Sequence, residues 1–291
     1  MNHPWQAASL LLAALLLAPN TPRAEPAKTA EKKPAATCDR GSFRVILDVG
    51  HSAEVPGALS ARGVGEYTFN LNLARVVEKK LHEAGFSRAH LLITPGKAIA
   101  GLVSRVNFAS RNPADLFLSI HHDAVPDKFL QKWTYDGKEH AYCDRFKGHS
   151  LFVSHVNEHY KQSLQFARFL GYQLKQQGLQ YATQYTEKFM GIRQRQLVDP
   201  ETGVYRFDNL VVLMSTNMPA VLFEAGSIIN RDEELVMADP KHQDLVASAV
   251  TKAVESFCTV QAQQPKPEAR IRRAAAPEAQ PPLFPLFGQP R

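Results

Sequence analysis

The chain alternates short β-branched or leucine-rich runs with longer segments whose apolar residues recur every three or four positions. Phe43-Arg-Val-Ile-Leu-Asp48 has the pattern of a buried strand, closed by Val49-Gly50-His51. From Glu66 to Ala84 the apolar residues Phe69, Leu73, Val76, Val77, Leu81 and Ala84 fall at helical spacing, and Gly85 ends the run. His90 to Thr94 predicts a second strand and Ile99 to Arg111 a second helix. A third strand, Asp115 to Ile120, runs into His121-His122-Asp123. Leu151 to Val153 reads as a short strand, with a helix from about Asn157 to Gln177 after it. Ala220 to Phe223 is another strand, leading into Glu224-Ala225-Gly226, and a last helix covers roughly Asp244 to Phe257. This alternation predicts a single α/β domain: a mostly parallel twisted sheet flanked by helices on both faces.

The ends of the chain have a different texture. Ala7 to Ala18 is an almost unbroken apolar run, too short to span a bilayer but the size of a signal-peptide core. Residues 1–24 are therefore expected to be a signal peptide, with Ala24 before the cleavage point, and no second run of membrane-spanning length follows. Residues 25–40 read as a linker, 41–259 as the folded domain, and 260–291 as a disordered Pro/Gln/Ala-rich tail. This layout predicts an exported protein.

Composition narrows the function classes. With 44% hydrophobic and 21% charged residues in 291, the chain is neither a disordered polymer nor a disulfide scaffold. A domain of this size needs no metal merely to fold, so a metal site here points to catalysis. The formal charge of +6 is scattered and suits an anionic polymer or surface. No recognition motif accompanies it, so nucleic acid is not expected as a partner. Cys38, Cys143 and Cys258 permit at most one internal disulfide. A bridge between Cys38 and Cys258 is sterically plausible because domain termini often lie close together, but the sequence does not choose the pair. None has the CxxC spacing of a metal site.

Three strands end in residues that bind or use a metal: His51, His121 and Glu224. In open α/β sheets functional groups collect beyond the carboxyl ends of the strands, so these three are expected to share a crevice. Glu66, in the first turn of the first long helix, faces the same edge. Two histidines and a carboxylate with an open fourth position make a catalytic zinc site, and a further carboxylate then serves as base. That assigns His51, Glu66 and His121 as ligands of one Zn2+ ion and Glu224 as the catalytic residue. Plainer roles compete: a loop or capping histidine, a helix N-terminal charge, a buried acceptor for backbone amides. A second motif, His155-Val-Asn-Glu158-His159, spells the HxxEH of inverzincin peptidases. Ser154 reads as a helix cap, however, and places the segment at the junction of strand and helix.

Four segments taken together carry a family resemblance: Val45-Ile-Leu-Asp-Val-Gly-His51, Gly63-Val-Gly-Glu66-Tyr-Thr-Phe-Asn-Leu-Asn72, Asp115-Leu-Phe-Leu-Ser-Ile-His121 and Met218-Pro-Ala-Val-Leu-Phe-Glu224-Ala-Gly226. They resemble, in order, the catalytic domain of zinc-dependent N-acetylmuramoyl-L-alanine amidases, the cell-wall family typified by bacterial division amidases. Val49 and Ser52 depart from the usual proline and second glycine around the first histidine, and His122 stands where a small residue is common. The resemblance implies His51, Glu66 and His121 as zinc ligands and Glu224 as the catalytic glutamate. His122 is left to support the site from behind. It also implies hydrolysis of the amide between N-acetylmuramic acid and L-alanine in peptidoglycan, with a protein activator as a further partner and the periplasm or cell envelope as the location. A zinc carboxypeptidase on stem peptides and a non-catalytic peptidoglycan-binding protein are the alternatives. Arg193 and Arg195 are candidates for binding stem-peptide carboxylates. Relatives carry an insertion whose helix covers the site, so residues 126–148 are a candidate lid or substrate wall with Glu139 as an inhibitory ligand.

Overall fold

The structure, a computed structural model, describes residues 37–264. The expected signal peptide, most of the linker, and the tail from 265 onward lie outside the described residues. In chain order the elements are β1 (Arg44–Val49), α1 (Glu66–Glu83), β2 (Arg88–Leu92), α2 (Ala98–Arg111), β3 (Leu116–Asp123), β4 (Gln131–Tyr135), β5 (Lys138–Tyr142), β6 (Ser150–Val153), α3 (Tyr160–Gln176), β7 (Gln196–Asp199), β8 (Val204–Arg206), α4 (Val211–Met214), β9 (Ala220–Ser227), α5 (Arg231–Ala238) and α6 (Pro240–Gln263).

Seven strands form one sheet in the order β2-β1-β3-β9-β6-β8-β7. The first four run parallel, while β6 is antiparallel to β9 and β7 to β8. Helices cover both faces, as the sequence pattern predicts. On one side Leu73, Val77 and Leu81 of α1, Phe166 and Leu170 of α3, and Val250, Val254 and Phe257 of α6 pack on Val45, Leu47, Leu118, Ile120 and Phe223. On the other, Ala109 of α2 and Val212 and Leu213 of α4 meet Ile46, Phe117 and Leu222. Adjacent residues of β1 and β3 thus enter opposite cores, which is why their runs are apolar throughout.

The departures from the sequence reading have physical reasons. α3 begins at Tyr160 rather than 157, because Ser154 and Asn157 close a turn instead: their side-chain oxygens accept from the amides of Val156 and His159. α6 starts at Pro240, behind an Asp239 cap that accepts from the Lys241 amide, and runs to Gln263, past the expected end of the domain at 259. The stretch after β3, the candidate lid or substrate wall, carries a short 3-10 turn at Asp127–Phe129 and then the β4–β5 hairpin, whose Trp133 indole donates to the Ala61 carbonyl. A disulfide joins Cys38 to Cys258 with their Cα atoms 5.3 Å apart, fixing the chain before β1 to α6. Cys143 is the free, buried thiol.

Candidate active site

His51, Glu66 and His121 converge at the carboxyl edge of the parallel strands. Glu66 Oε2 lies 3.0 Å from His51 Nε2 and Glu66 Oε1 lies 2.9 Å from His121 Nδ1. The two imidazole centroids are 5.0 Å apart, and the three ligand atoms all fall within 4.8 Å of one another. Glu66 reaches this point because α1 begins there. Its buried face, Glu66, Phe69, Asn70, Leu73, Ala74, Val77 and Leu81, continues at helical spacing into the core, so the face that anchors the helix also delivers the carboxylate. The amides of Glu66 and Tyr67 donate to the carbonyls of Ala58 and Pro56, tying the helix start to the loop after β1.

Several neighbours hold the carboxylate and the first histidine. Asn70, one turn beyond Glu66, donates to Glu66 Oε1 at 3.2 Å and to the Gly50 carbonyl at 3.1 Å, and its carbonyl end meets His122 Nδ1 at 2.8 Å. The backbone amides of His122 and Ala58 also donate to Glu66. His51 takes a left-handed backbone conformation, with φ of 65°. The buried guanidinium of Arg105 holds that conformation, donating to the carbonyls of Val49 and His51 while pairing with Asp48 at 2.7 Å. Asp48 in turn accepts from the Ser119 hydroxyl at 2.6 Å. Gly57 has φ of 80°, and a Cβ there would lie 2.6 Å from Glu66 Oε2 and 2.7 Å from the His51 ring. Only glycine leaves room for both ligands.

Glu224 stands on β9 in register with His121 on β3. The register shifts between His121 and Asp123, a bulge that re-aims the strand ends at this point. Glu224 Oε2 is buried with no hydrogen-bond partner among the described residues. Burial pushes its carboxyl well above the usual carboxylate range, with repulsion from Asp123 and Glu66 adding to the rise and Arg193 opposing it. Burial also pushes Glu66 up, yet its hydrogen bonds to His121 and His51 outweigh that and hold it well below the ordinary range. The site therefore contains one carboxylate held ionised between two imidazoles and one favoured in its protonated form. Environments that push paired carboxyls apart in this way separate a ligand from an acid–base group. His122, fully buried behind Asn70, is pushed down to about 3 by burial and stays neutral.

A cavity of about 290 Å³ opens over these groups, lined by His51, Glu66, His121, Glu224, Arg193 and Arg195 among others. Arg193 donates to Asp123 Oδ1 at 2.8 Å, and the Tyr185 hydroxyl donates to Asp123 Oδ2 at 2.5 Å. Arg195 stacks on Phe207 with 3.8 Å between guanidinium carbon and ring centroid, and its buried Nε lacks a partner among the described residues. Both arginines thus border the cavity rather than sitting on an open surface.

Two other sequence candidates are not brought together here. Glu139 lies on the exposed face of β5, its side chain 64% accessible and paired with Lys132 at 2.7 Å, and it does not line the cavity. The hairpin register explains this: Glu139 stands opposite Thr134, and Lys132, two positions along β4 on the same face, is within diagonal reach of its carboxylate. The HxxEH segment is a turn: the His155 ring packs edge-on against Tyr160 at 4.2 Å, and His159 Nε2 lies 3.3 Å from Asn217 Oδ1. Among the described residues the group with three converging metal-binding side chains is His51, Glu66 and His121.

The donor set suits zinc. Two imidazole nitrogens and a carboxylate oxygen converge at the cavity, and Asn70 orients the carboxylate from behind.

Comparison with known proteins settles the family. A model of the N-acetylmuramoyl-L-alanine amidase family matches residues 45–256. The chain belongs to that family. Among curated amidases it is 24% identical to AmiA of Escherichia coli, over 77% of this chain and 79% of the relative. It is 23% identical to the germination-specific N-acetylmuramoyl-L-alanine amidase of Bacillus subtilis, over 76% of this chain and 82% of the relative. In fold it resembles the Ami1 amidase of Mycobacterium smegmatis, with a TM-score of 0.57 at 19% identity, covering 76% of this chain and 99% of that one. It also resembles the CwlD amidase of Clostridioides difficile in complex with the GerS lipoprotein, with a TM-score of 0.54 at 19% identity over 75% and 99% of the two chains. This amidase domain is the hydrolase fold of the family, and the candidate site sits where its parallel strands end.

Proposed function

We propose that the chain hydrolyses the amide between the lactyl carbonyl of N-acetylmuramic acid and the L-alanine of the stem peptide in peptidoglycan. His51, Glu66 and His121 would hold one zinc ion, and Glu224 would carry the protons. The observation that supports this reading is the pairing of three converging ligand atoms with an unpartnered carboxyl oxygen of Glu224 at the same cavity. When bound, zinc supplies a Lewis acid for the amide carbonyl and acidifies the attacking water.

The remaining chemistry belongs to the chain's own side chains. In its ionised form Glu224 would accept a proton from the attacking water and return it to the departing alanine nitrogen, and the upward push on its carboxyl favours holding that proton between the two events. Asp123, fixed by Arg193 and Tyr185, is itself pushed up by burial, and whenever it is ionised its charge raises Glu224 further. Arg193 and Arg195 both line the cavity and are the candidates for a stem-peptide carboxylate; Arg193 also pairs with Asp123, and Arg195 also donates to the carbonyls of Ile192 and Gln194.

Export belongs to the same reading. The apolar run at 7–18, the Cys38–Cys258 disulfide and the location of peptidoglycan all support a periplasmic or envelope protein. No helix among the described residues is long and apolar enough to cross a membrane. A protein activator is a further proposed partner, supported by the relative solved with a lipoprotein.

The test is metal content and turnover of a soluble N-acetylmuramoyl-peptide for the parent, His121→Ala and Glu224→Gln. One zinc per chain in the parent and in Glu224→Gln, with turnover lost in both variants, is the expected result. Parent-like turnover in Glu224→Gln would remove Glu224 from the mechanism.

A further inference from the structure

The register of the paired strands decides which side chains face the cavity. β6 runs antiparallel to β9 with Phe152 opposite Leu222, Leu151 opposite Phe223 and Ser150 opposite Glu224. Leu151 and Phe223 enter the core beneath α1, α3 and α6. Phe152 and Leu222, one position along, point the other way and line the cavity over the metal-binding side chains. Residues two apart on a strand share a face, so Ser150 lies on that side as well, directly across from Glu224.

Both members of this pair carry an unmet hydrogen-bonding group. Ser150 is fully buried and its hydroxyl has no partner among the described residues; Glu224 Oε2 is enclosed and unpartnered in the same way. A buried polar atom without a partner is costly, and alanine would occupy the position of Ser150 without that cost. The other polar side chains close to Glu224 are engaged elsewhere, Arg193 and Tyr185 both donating to Asp123. Directly opposed residues of an antiparallel pair hold their Cβ atoms about 4.5–5.5 Å apart, and the terminal torsion of a glutamate is soft. The serine hydroxyl is therefore within reach of the carboxyl, although no hydrogen bond joins them in the structure.

We infer that Ser150 is a positioning residue for Glu224, its hydroxyl pairing with the inward carboxyl oxygen and so fixing the direction in which the other oxygen meets the attacking water. The inference rests on the amidase reading and adds to it a residue that does not line the cavity. A hydroxyl serves both stages of the reaction. It donates to the carboxylate while that group is ionised and, by rotating, accepts from it once the carboxyl carries the proton. The proton that Glu224 takes from water thus passes to the departing nitrogen with the carboxyl held throughout. Ser150 sits on a strand flanked by β9 and β8 and has no access to substrate, which separates this role from that of a nucleophile.

Ser150→Ala, Ser150→Thr and a control, Ser227→Ala, are made in the full chain and loaded with zinc. Ser227 is also buried with an unpartnered hydroxyl, but it stands opposite Asp123, beyond the bulge. On a soluble N-acetylmuramoyl-peptide, Ser150→Ala should lower kcat roughly 10- to 100-fold, the scale of a lost hydrogen bond to a charged group, with KM within about twofold. Ser150→Thr keeps the hydroxyl and should recover most of kcat, and Ser227→Ala should match the parent. Zinc content and thermal midpoint establish that each variant is folded. Infrared difference spectra of the substrate-free chain give a readout that needs no turnover. The carbonyl band of the protonated Glu224 carboxyl, identified by its loss in Glu224→Gln, should shift in Ser150→Ala and return in Ser150→Thr. A kcat unchanged by Ser150→Ala, a loss that Ser150→Thr does not restore, an equal fall in Ser227→Ala, or a band that does not move overturns the assignment. A parent that releases no peptide beginning with L-alanine, while its band still shifts with Ser150→Ala, contradicts the amidase reading and leaves the pairing in place.

Discussion

Arg105 offers the sharpest test of how the fold supports the site. Its guanidinium is 5% exposed, pairs with an Asp48 that is 1% exposed, and spans the carbonyls of Val49 and His51. Replacing it with methionine leaves Asp48 buried with only the Ser119 hydroxyl as partner, and leaves two carbonyls at the His51 turn without their donor. Removing one member of a buried pair costs about 3–5 kcal/mol. For a domain of this size that corresponds to a thermal midpoint lower by roughly 10 °C. The second effect is on the metal. The left-handed conformation of His51 costs about 1–2 kcal/mol and persists because its carbonyl is held. Once the carbonyl is released, zinc affinity should fall about 10- to 100-fold, the size of effect seen when a ligand loses its orienting neighbour. The assay is calorimetric melting of the apo protein together with competitive zinc titration. The double variant Asp48→Leu/Arg105→Met separates the two effects: removing both charges should restore much of the stability but none of the affinity. Parent-like melting and parent-like zinc binding in Arg105→Met would refute the reasoning, and full recovery of affinity in the double variant would refute its second half.

Three further outcomes are expected. His149 is buried with both ring nitrogens unpartnered among the described residues, and burial pushes it down to about 4, from 6.5 for an exposed ring. The unfolded chain binds the extra proton between those values, so stability falls as pH drops from about 6.5 toward 4. Urea unfolding should show the parent losing about 2–3 kcal/mol more than His149→Leu between pH 7.5 and 4.5, and equal losses would exclude His149 as the cause. Replacing Cys38 and Cys258 by serine releases a cross-link spanning 220 residues of sequence, which should cost about 3–5 kcal/mol in denaturant unfolding; an unchanged midpoint would show that the termini are held by packing alone. Glu139→Gln should leave turnover within about twofold, because this exposed carboxylate meets Lys132 in a solvent-screened pair rather than the ligands; a large rise in activity would restore its inhibitory role.

The parts of this fold legible in the sequence are those with one dominant signal. β1, β3 and β9 read as strands because both of their faces are buried and their runs are apolar throughout, and α1 because one face repeats into the core. The β4–β5 hairpin was illegible because its side chains are mostly exposed or half-buried and polar, so no apolar alternation marks it. β7 and β8 are short and lie at the sheet's far edge, where pairing rather than composition defines them. For the site, the strand-end positions of His51, His121 and Glu224 were readable because sheet topology decides where such residues meet. Arg105 was not, since it sits inside an ordinary helical pattern and acquires its role only by meeting Asp48 across the fold. Asn70 and Asp123 follow recognised ligands by one helical turn or two strand positions, a weak signal that becomes meaningful only with the geometry. Gly57 carries no side chain to read; its part is the space it leaves.

The central claim is most directly tested by digesting purified peptidoglycan with the full-length zinc-loaded protein and identifying the products by mass spectrometry. The account predicts free stem peptides beginning with L-alanine, abolished by chelation and by Glu224→Gln. Stems shortened at their far end but still joined to the sugar would contradict it and assign the site to a carboxypeptidase.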